Sequence, residues 1–117
     1  MFLIPAIAME QPANPTEAQK IESIIQVLEN LKDAEFIRNG STYTAAQAAA
    51  HLRMKMKNAG RAVKSAPDFI RLCGSASSMS GKPYLIRYKD GHEVKASDFL
   101  WMELKKLEAG IRKGPDS

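Results

Sequence analysis

The sequence predicts an α+β domain: four helices packed on a small antiparallel sheet made of two β-hairpins. Three observations carry that prediction. Helix-start signatures recur ahead of apolar stripes with three- and four-residue steps. Two tight-turn signals are flanked by β-prone residues. The resulting order (helix, hairpin, helix, helix, hairpin, helix) contains no βαβ alternation that would require a parallel sheet.

Taken in chain order, Thr16-Glu17-Ala18-Gln19 opens the first helix as a capping box. The threonine hydroxyl accepts from the amide three residues on, while the Gln19 side chain reaches back. Ile21, Ile24, Ile25, Leu28 and Leu31 then form one apolar stripe, with Glu22, Gln26, Glu29 and Asp33 on another face. Pro12 and Pro15 mark the linker before it. Asn39-Gly40 supplies the two positive φ angles of a type I′ turn, which sets Phe36 opposite Tyr43 across the first hairpin. Thr44-Ala45-Ala46-Gln47 repeats the capping box. Ala48, Ala49, Leu52, Met56, Ala59 and Val63 share one side of the second helix, and their small size predicts a close neighbour.

Ser65-Ala66-Pro67-Asp68 starts the third helix, with an N-cap serine, a proline in the first turn and an acid three residues after the cap. Phe69, Ile70 and Leu72 are its expected core contacts, and Gly74 with the serines after it is the stop. Around Lys89-Asp90-Gly91 two hairpin registers are open. A three-residue loop with Gly91 in the left-handed position pairs Ile86 with Val94 and Arg87 with Glu93, sorting apolar and charged residues onto opposite faces. A two-residue loop mixes them, so the bulged register is the expected one. Ser97 is read as the cap of the last helix, in which Leu100, Leu104, Leu107 and Ile111 align with Trp101 beside them, until Gly110 and Gly114-Pro115 end it.

A chain of 117 residues with 44% hydrophobic and 26% charged residues has the composition of one globular domain, which excludes a second domain and wholesale disorder. Its single cysteine, Cys73, cannot form an intramolecular disulfide and reads as a small core residue. No Cys/His spacing suits a metal and no cofactor motif is present. No stretch reaches the ~20 apolar residues of a membrane span. At the N-terminus, "MFLIPAIA" is apolar, ends small-x-small at Ala6-Ile7-Ala8 and then turns polar, so residues 1–8 are read as the tail of an export signal that starts upstream. A linker over 9–15, a single domain over 16–111 and a flexible tail over 112–117 complete the expected organisation.

Charge is uneven: residues 36–73 hold seven Lys/Arg against one acid, Asp68. Arg53, Lys57, Arg61 and Lys64 fall at steps of four, four and three, a basic stripe suited to an anionic envelope component or a protein partner, or to pairing with the acids of the first helix. No aromatic residue interleaves with it and no nucleic-acid motif appears, which argues against nucleic acid. His51 sits at the edge of the apolar face, one turn before Lys55. It lacks a sequence partner that would make it a general base and reads as a half-buried structural histidine. His92 is expected exposed at its turn. In the stretch Ser75 to Tyr84, Gly81 and Pro83 punctuate the entry to a strand, and Ser75, Ser77, Ser78 and Ser80 can satisfy the bend themselves. Gly74 and Gly81 are too far apart for a phosphate loop, and Met79 stands three before Lys82, which rules out a Ser-x-x-Lys pair.

Phe36-Ile37-Arg38-Asn39-Gly40, Ala48 to Ala50 with His51-Leu52 and Lys55, Phe69-Ile70, and Ser77-Ser78 with Ser80-Gly81-Lys82-Pro83-Tyr84 and Ile86 together resemble the YfeK-like family of small exported proteins of Gram-negative bacteria. The resemblance spans residues 17–108 and implies a cleaved signal peptide and a periplasmic location. It brings no catalytic or binding residues, because the function of that family is unknown. Relatives there often carry alanine where Gly74 stands.

The favoured expectation is a non-catalytic periplasmic binding module whose contact surface is the serine-rich loop and the adjoining helix: His51, Lys55, Ser75, Ser77, Ser78, Ser80, Gly81, Lys82 and Tyr84. An alternative rests on the Ser-Gly-x-x-Tyr element at Ser80 to Tyr84, which is similar to one in some periplasmic lysozyme inhibitors. A second alternative is a small envelope hydrolase pairing His51 with a loop serine, which requires an acid behind the imidazole.

Overall fold

The computed structural model describes residues 14–113. Helix α1 spans Glu17–Glu29 and opens on the expected capping box, with Gln19 N–H donating to Thr16 Oγ1 at 3.1 Å and Thr16 N–H to Gln19 Oε1 at 2.8 Å. Such a cap contributes about 1 kcal/mol. Ile21, Ile24, Ile25 and Leu28 are all buried. The helix stops earlier than the stripe suggests: Asn30 is its C-cap, Leu31 is only half-buried and Asp33 takes a left-handed φ of 56°.

Strands β1, Glu35–Arg38, and β2, Ser41–Tyr43, pair antiparallel with Phe36 opposite Tyr43. Asn39 and Gly40 between them adopt φ of 53° and 81°, the left-handed pair that only such residues take without strain. Helix α2 spans Ala45–Ala59 behind the second capping box. A 3₁₀ turn over Gly60–Ala62 then breaks the line, so the basic stripe is not one helical row: Arg61 lies in that turn and Lys64 beyond it.

Helix α3, Ala66–Leu72, begins with Asp68 N–H donating to Ser65 Oγ at 3.1 Å. Ala66, Phe69, Ile70 and Cys73 form its buried side. Leu72, expected in the core, is 49% exposed, because spacings of three and four from Ala66 leave it on the other side of a two-turn helix.

Strands β3, Leu85–Arg87, and β4, Glu93–Lys95, take the register that sorts apolar from charged, Ile86 opposite Val94 and Arg87 opposite Glu93, with Gly91 at φ 95°. Helix α4, Ala96–Lys113, follows β4 with no intervening residue. Ser97 therefore falls inside its first turn rather than capping it, and the helix runs through Gly110 instead of ending there. Residues 1–8, most of the linker over 9–15 and the end of the tail lie outside the described residues.

The four strands form one antiparallel sheet in the order β2-β1-β3-β4, joined at its centre by β1 and β3 with Phe36 opposite Ile86. Alternation sends Tyr43, Phe36, Ile86 and Val94 to one face, where they join the core with the helices. On the other face Arg87 bridges Glu35 at 3.0 Å and Glu93 at 3.1 Å. Helix α1 touches each of the other three helices, so its isoleucines fill the centre. Among the described residues no helix is long and apolar enough to cross a membrane.

A Cβ on Gly74 would lie 2.7 Å from Leu100 Cδ1 of α4, a side chain with no exposed surface. Gly74→Ala is therefore expected to cost about 1–3 kcal/mol by overpacking. In a urea-unfolding double-mutant cycle with Leu100→Val the two costs should fall short of additivity. Additive costs would show that the two positions do not meet.

Candidate functional site

The expected site residues split into two groups in space. Three of them, His51, Lys55 and Tyr84, meet beside the middle of α2. His51 and Lys55 are one turn apart on the helix, and Tyr84, one residue before β3, faces the core on the same side as Ile86. Lys55 Nζ donates to Tyr84 Oη at 2.9 Å and to the Ala76 carbonyl at 3.1 Å. Tyr84 Oη lies 3.2 Å from His51 Nε2, and the two rings meet edge-on.

Two residues join them that the motif reading did not single out. Arg38 Nη1 lies 3.2 Å from His51 Nδ1 and 3.3 Å from Nε2, and its Nη2 donates to Tyr43 Oη at 3.1 Å. The guanidinium also sits 5.1 Å above the Tyr43 ring, a cation–π contact. The signal for both was present in the strand period: Arg38 is two residues from Phe36, and Tyr43 is opposite Phe36, so all three share the face under the helices.

The cluster edges a cleft of about 360 Å³ between α2 and the sheet. Leu28, Phe36, Ala48, Leu52 and Ala96 supply apolar lining, and Arg38, Tyr43, Gln47, His51 and Tyr84 supply the polar part. The small residues of α2 create this space: alanines at 48 and 50 leave a gap that longer side chains would fill.

The second group, the loop from Ser75 to Lys82, commits the hydroxyls of Ser75, Ser77 and Ser80 to bonds within the protein. Ser75 Oγ donates to the Ile70 carbonyl at 2.6 Å, and the buried Ser77 accepts through Oγ from Asn39 Nδ2 at 3.2 Å. Ser80 Oγ donates to Asn39 Oδ1, and Lys82 N–H donates to Ser80 Oγ at 3.2 Å. An isolated bridge between Ala76 and Pro83 closes the base. Ser78, Ser80, Gly81 and Lys82 remain exposed, while Tyr84 is buried.

Of the basic stripe, Arg53 is engaged by α1, its Nη2 donating to Glu22 at 2.7 Å and to Glu29 at 3.0 Å. Both carboxylates push its pKa up further, yet an exposed network of this kind stabilises by only about 0–1 kcal/mol. Lys57, Arg61 and Lys64 face solvent.

Chemically the cluster is cationic. Burial first, then the charges of Arg38 and Lys55, hold the His51 imidazole below its ordinary pKa, so it is neutral at physiological pH. Its hydrogen-bond partners are an arginine and a tyrosine, neither a serine nor an acid. Cys73 is buried, and desolvation raises its thiol pKa. Among the described residues no three His, Cys, Asp or Glu side chains gather as metal ligands do.

A family model described as "Family of unknown function (DUF5329)" matches residues 15–108. The chain is also 37% identical over 71 residues to "Uncharacterized protein YfeK" of Salmonella typhimurium, a match covering 61% of this chain and 59% of that protein. The chain thus spans about three fifths of the length of the curated relative it matches. No solved structure matches.

Because the folded state holds His51 below the unfolded value of about 6.5, the unfolded chain takes up that proton more readily, and the contribution falls as pH drops through about 6.5. Thermal unfolding from pH 7.5 to 5 should therefore show the parent losing more stability than His51→Gln. Parallel curves would remove the buried imidazole from the account.

Proposed function

The chain belongs to the family of unknown function DUF5329, and we propose that it works as a binding module with no chemistry of its own, whose contact site is the cleft between α2 and the sheet. One observation carries this reading: a cavity of about 360 Å³, within the ~300–1,000 Å³ span of small-molecule sites, has apolar walls and a few convergent polar groups. His51 and Tyr84 line it, and Lys55 braces Tyr84 from behind. The loop from Ser75 to Lys82 contributes no residue to the lining; it adjoins the cluster through the Ala76 carbonyl that Lys55 holds, and its shape is kept by its own serines and by Asn39.

The cluster supports binding over hydrolysis on physical grounds. A general base needs a carboxylate that orients it and stabilises its cation. His51 instead has two cations near it, which oppose protonation. The inhibitor-like reading of Ser80 to Tyr84 requires that element to be displayed, and its tyrosine is 7% exposed. The place of work we propose is the periplasm, supported by the export-signal pattern of Ala6-Ile7-Ala8 and by the family resemblance.

For the cleft, the anionic dye 1-anilinonaphthalene-8-sulfonate should bind the folded parent with enhanced fluorescence. Ala48→Trp, which fills the cleft, should abolish the enhancement at unchanged circular dichroism. A parent that takes up no dye, or a variant that binds it equally, would overturn the reading. For the location, N-terminal sequencing of protein from the native cell should find Phe2 and Leu3 removed. A mature chain that retains them refutes export.

A further inference from the structure

The polar edge of the cleft has too many donors for the acceptors it contains. Arginine and protonated lysine carry only donors, a neutral imidazole offers one donor and one acceptor, and each tyrosine offers one hydroxyl proton. Arg38 Nη1 lies almost equally far from His51 Nδ1 and Nε2, 3.2 and 3.3 Å, so the guanidinium favours neither tautomer. Tyr84 Oη accepts from Lys55 and Tyr43 Oη accepts from Arg38, which occupies both oxygens as acceptors; the Tyr43 hydroxyl proton has no acceptor in the cluster, and Tyr84 Oη and His51 Nε2 share a single proton between them. Gln47, also on the lining, has its side-chain oxygen committed to Thr44 N–H, so its free amide group is a donor as well.

Nor does a carboxylate neutralise the cluster. Among the described residues Lys20, Arg53, Arg71, Arg87 and Lys106 each pair with an acid, whereas Arg38, half-buried, has only His51 and Tyr43 as side-chain partners. A half-withdrawn guanidinium facing an apolar cavity is an electrostatic deficit that an anion would relieve. The planar fork of arginine matches the two oxygens of a carboxylate.

Resting on the reading of the cleft as a binding site, we infer that its ligand is a small monocarboxylate with an apolar body, the carboxylate meeting Arg38 and the hydroxyls of Tyr43 and Tyr84, the body lying on Leu28, Phe36 and Leu52. The volume, near the low end of small-molecule sites, favours a body of modest size.

Titration calorimetry of the parent with octanoate, octan-1-ol and acetate tests this. Octanoate should bind at least about tenfold more tightly than either, since a charge-assisted hydrogen bond and the buried chain each contribute a factor of that order. Arg38→Gln should bring the octanoate-to-octanol affinity ratio close to one. Octanol binding as well as octanoate overturns the carboxylate and leaves the cleft standing. Acetate binding as well as octanoate overturns the apolar body. Binding of none of the three overturns the cleft reading together with this inference.

Discussion

The pairing of β1 with β3 is the constraint on which the rest of the molecule depends. It brings together residues as far apart in sequence as Glu35 and Arg87, 52 positions, and each such closure costs chain entropy before any contact offsets it. What offsets it is apolar: Phe36 and Ile86, opposite each other, are 5% and 0% exposed beneath the helices. The same pairing fixes which way their neighbours point. Arg38 and Tyr84 share the parity of Phe36 and Ile86, so the register that closes the core also aims a guanidinium and a phenol at the middle of α2.

Helix α2 completes the arrangement through what it lacks. Its alanines allow close approach at Ala49, which is fully buried, and leave the opening by Ala48 and Ala50 that becomes the cleft. The loop before β3 has a different task from the one its composition suggests. Its serines hydrogen-bond to Ile70, to Asn39 and to the loop itself, so it ties the turn between β1 and β2 to the strand that Tyr84 precedes. The hydroxyls spend most of their bonding capacity on architecture.

Local signals were legible in the sequence because local chemistry decides them. Both capping boxes, the Ser65 cap, the Asn39-Gly40 turn and the choice between two registers around Gly91 each follow from residues within a few positions of one another. The errors fall where tertiary packing or element ends decide. Leu72 looks apolar enough for the core, yet α3 is two turns long and offers one buried side. Ser97 looks like a cap, yet β4 feeds α4 directly, with Ala96 N–H donating to the Tyr84 carbonyl. The basic row from Arg53 to Lys64 assumes a helix that continues past Ala59. Within the proposed site, His51, Lys55 and Tyr84 were already candidates from the sequence, whereas Arg38 and Tyr43 join them through the pairing of β1 with β2 and β3, which no single stretch of sequence encodes.

Cys73 gives the fold one property that its packing alone confers. With 1% of its surface exposed and its ionisation suppressed by burial, the thiol is withheld from oxidants and from thiol exchange as long as the end of α3 stays packed in the core. Its alkylation rate in the native state is thereby a clock for the opening of the core around the end of α3, one that needs no introduced cysteine. A lone sulfhydryl in such a seat also leaves no partner for intermolecular crosslinks until the chain has already come apart.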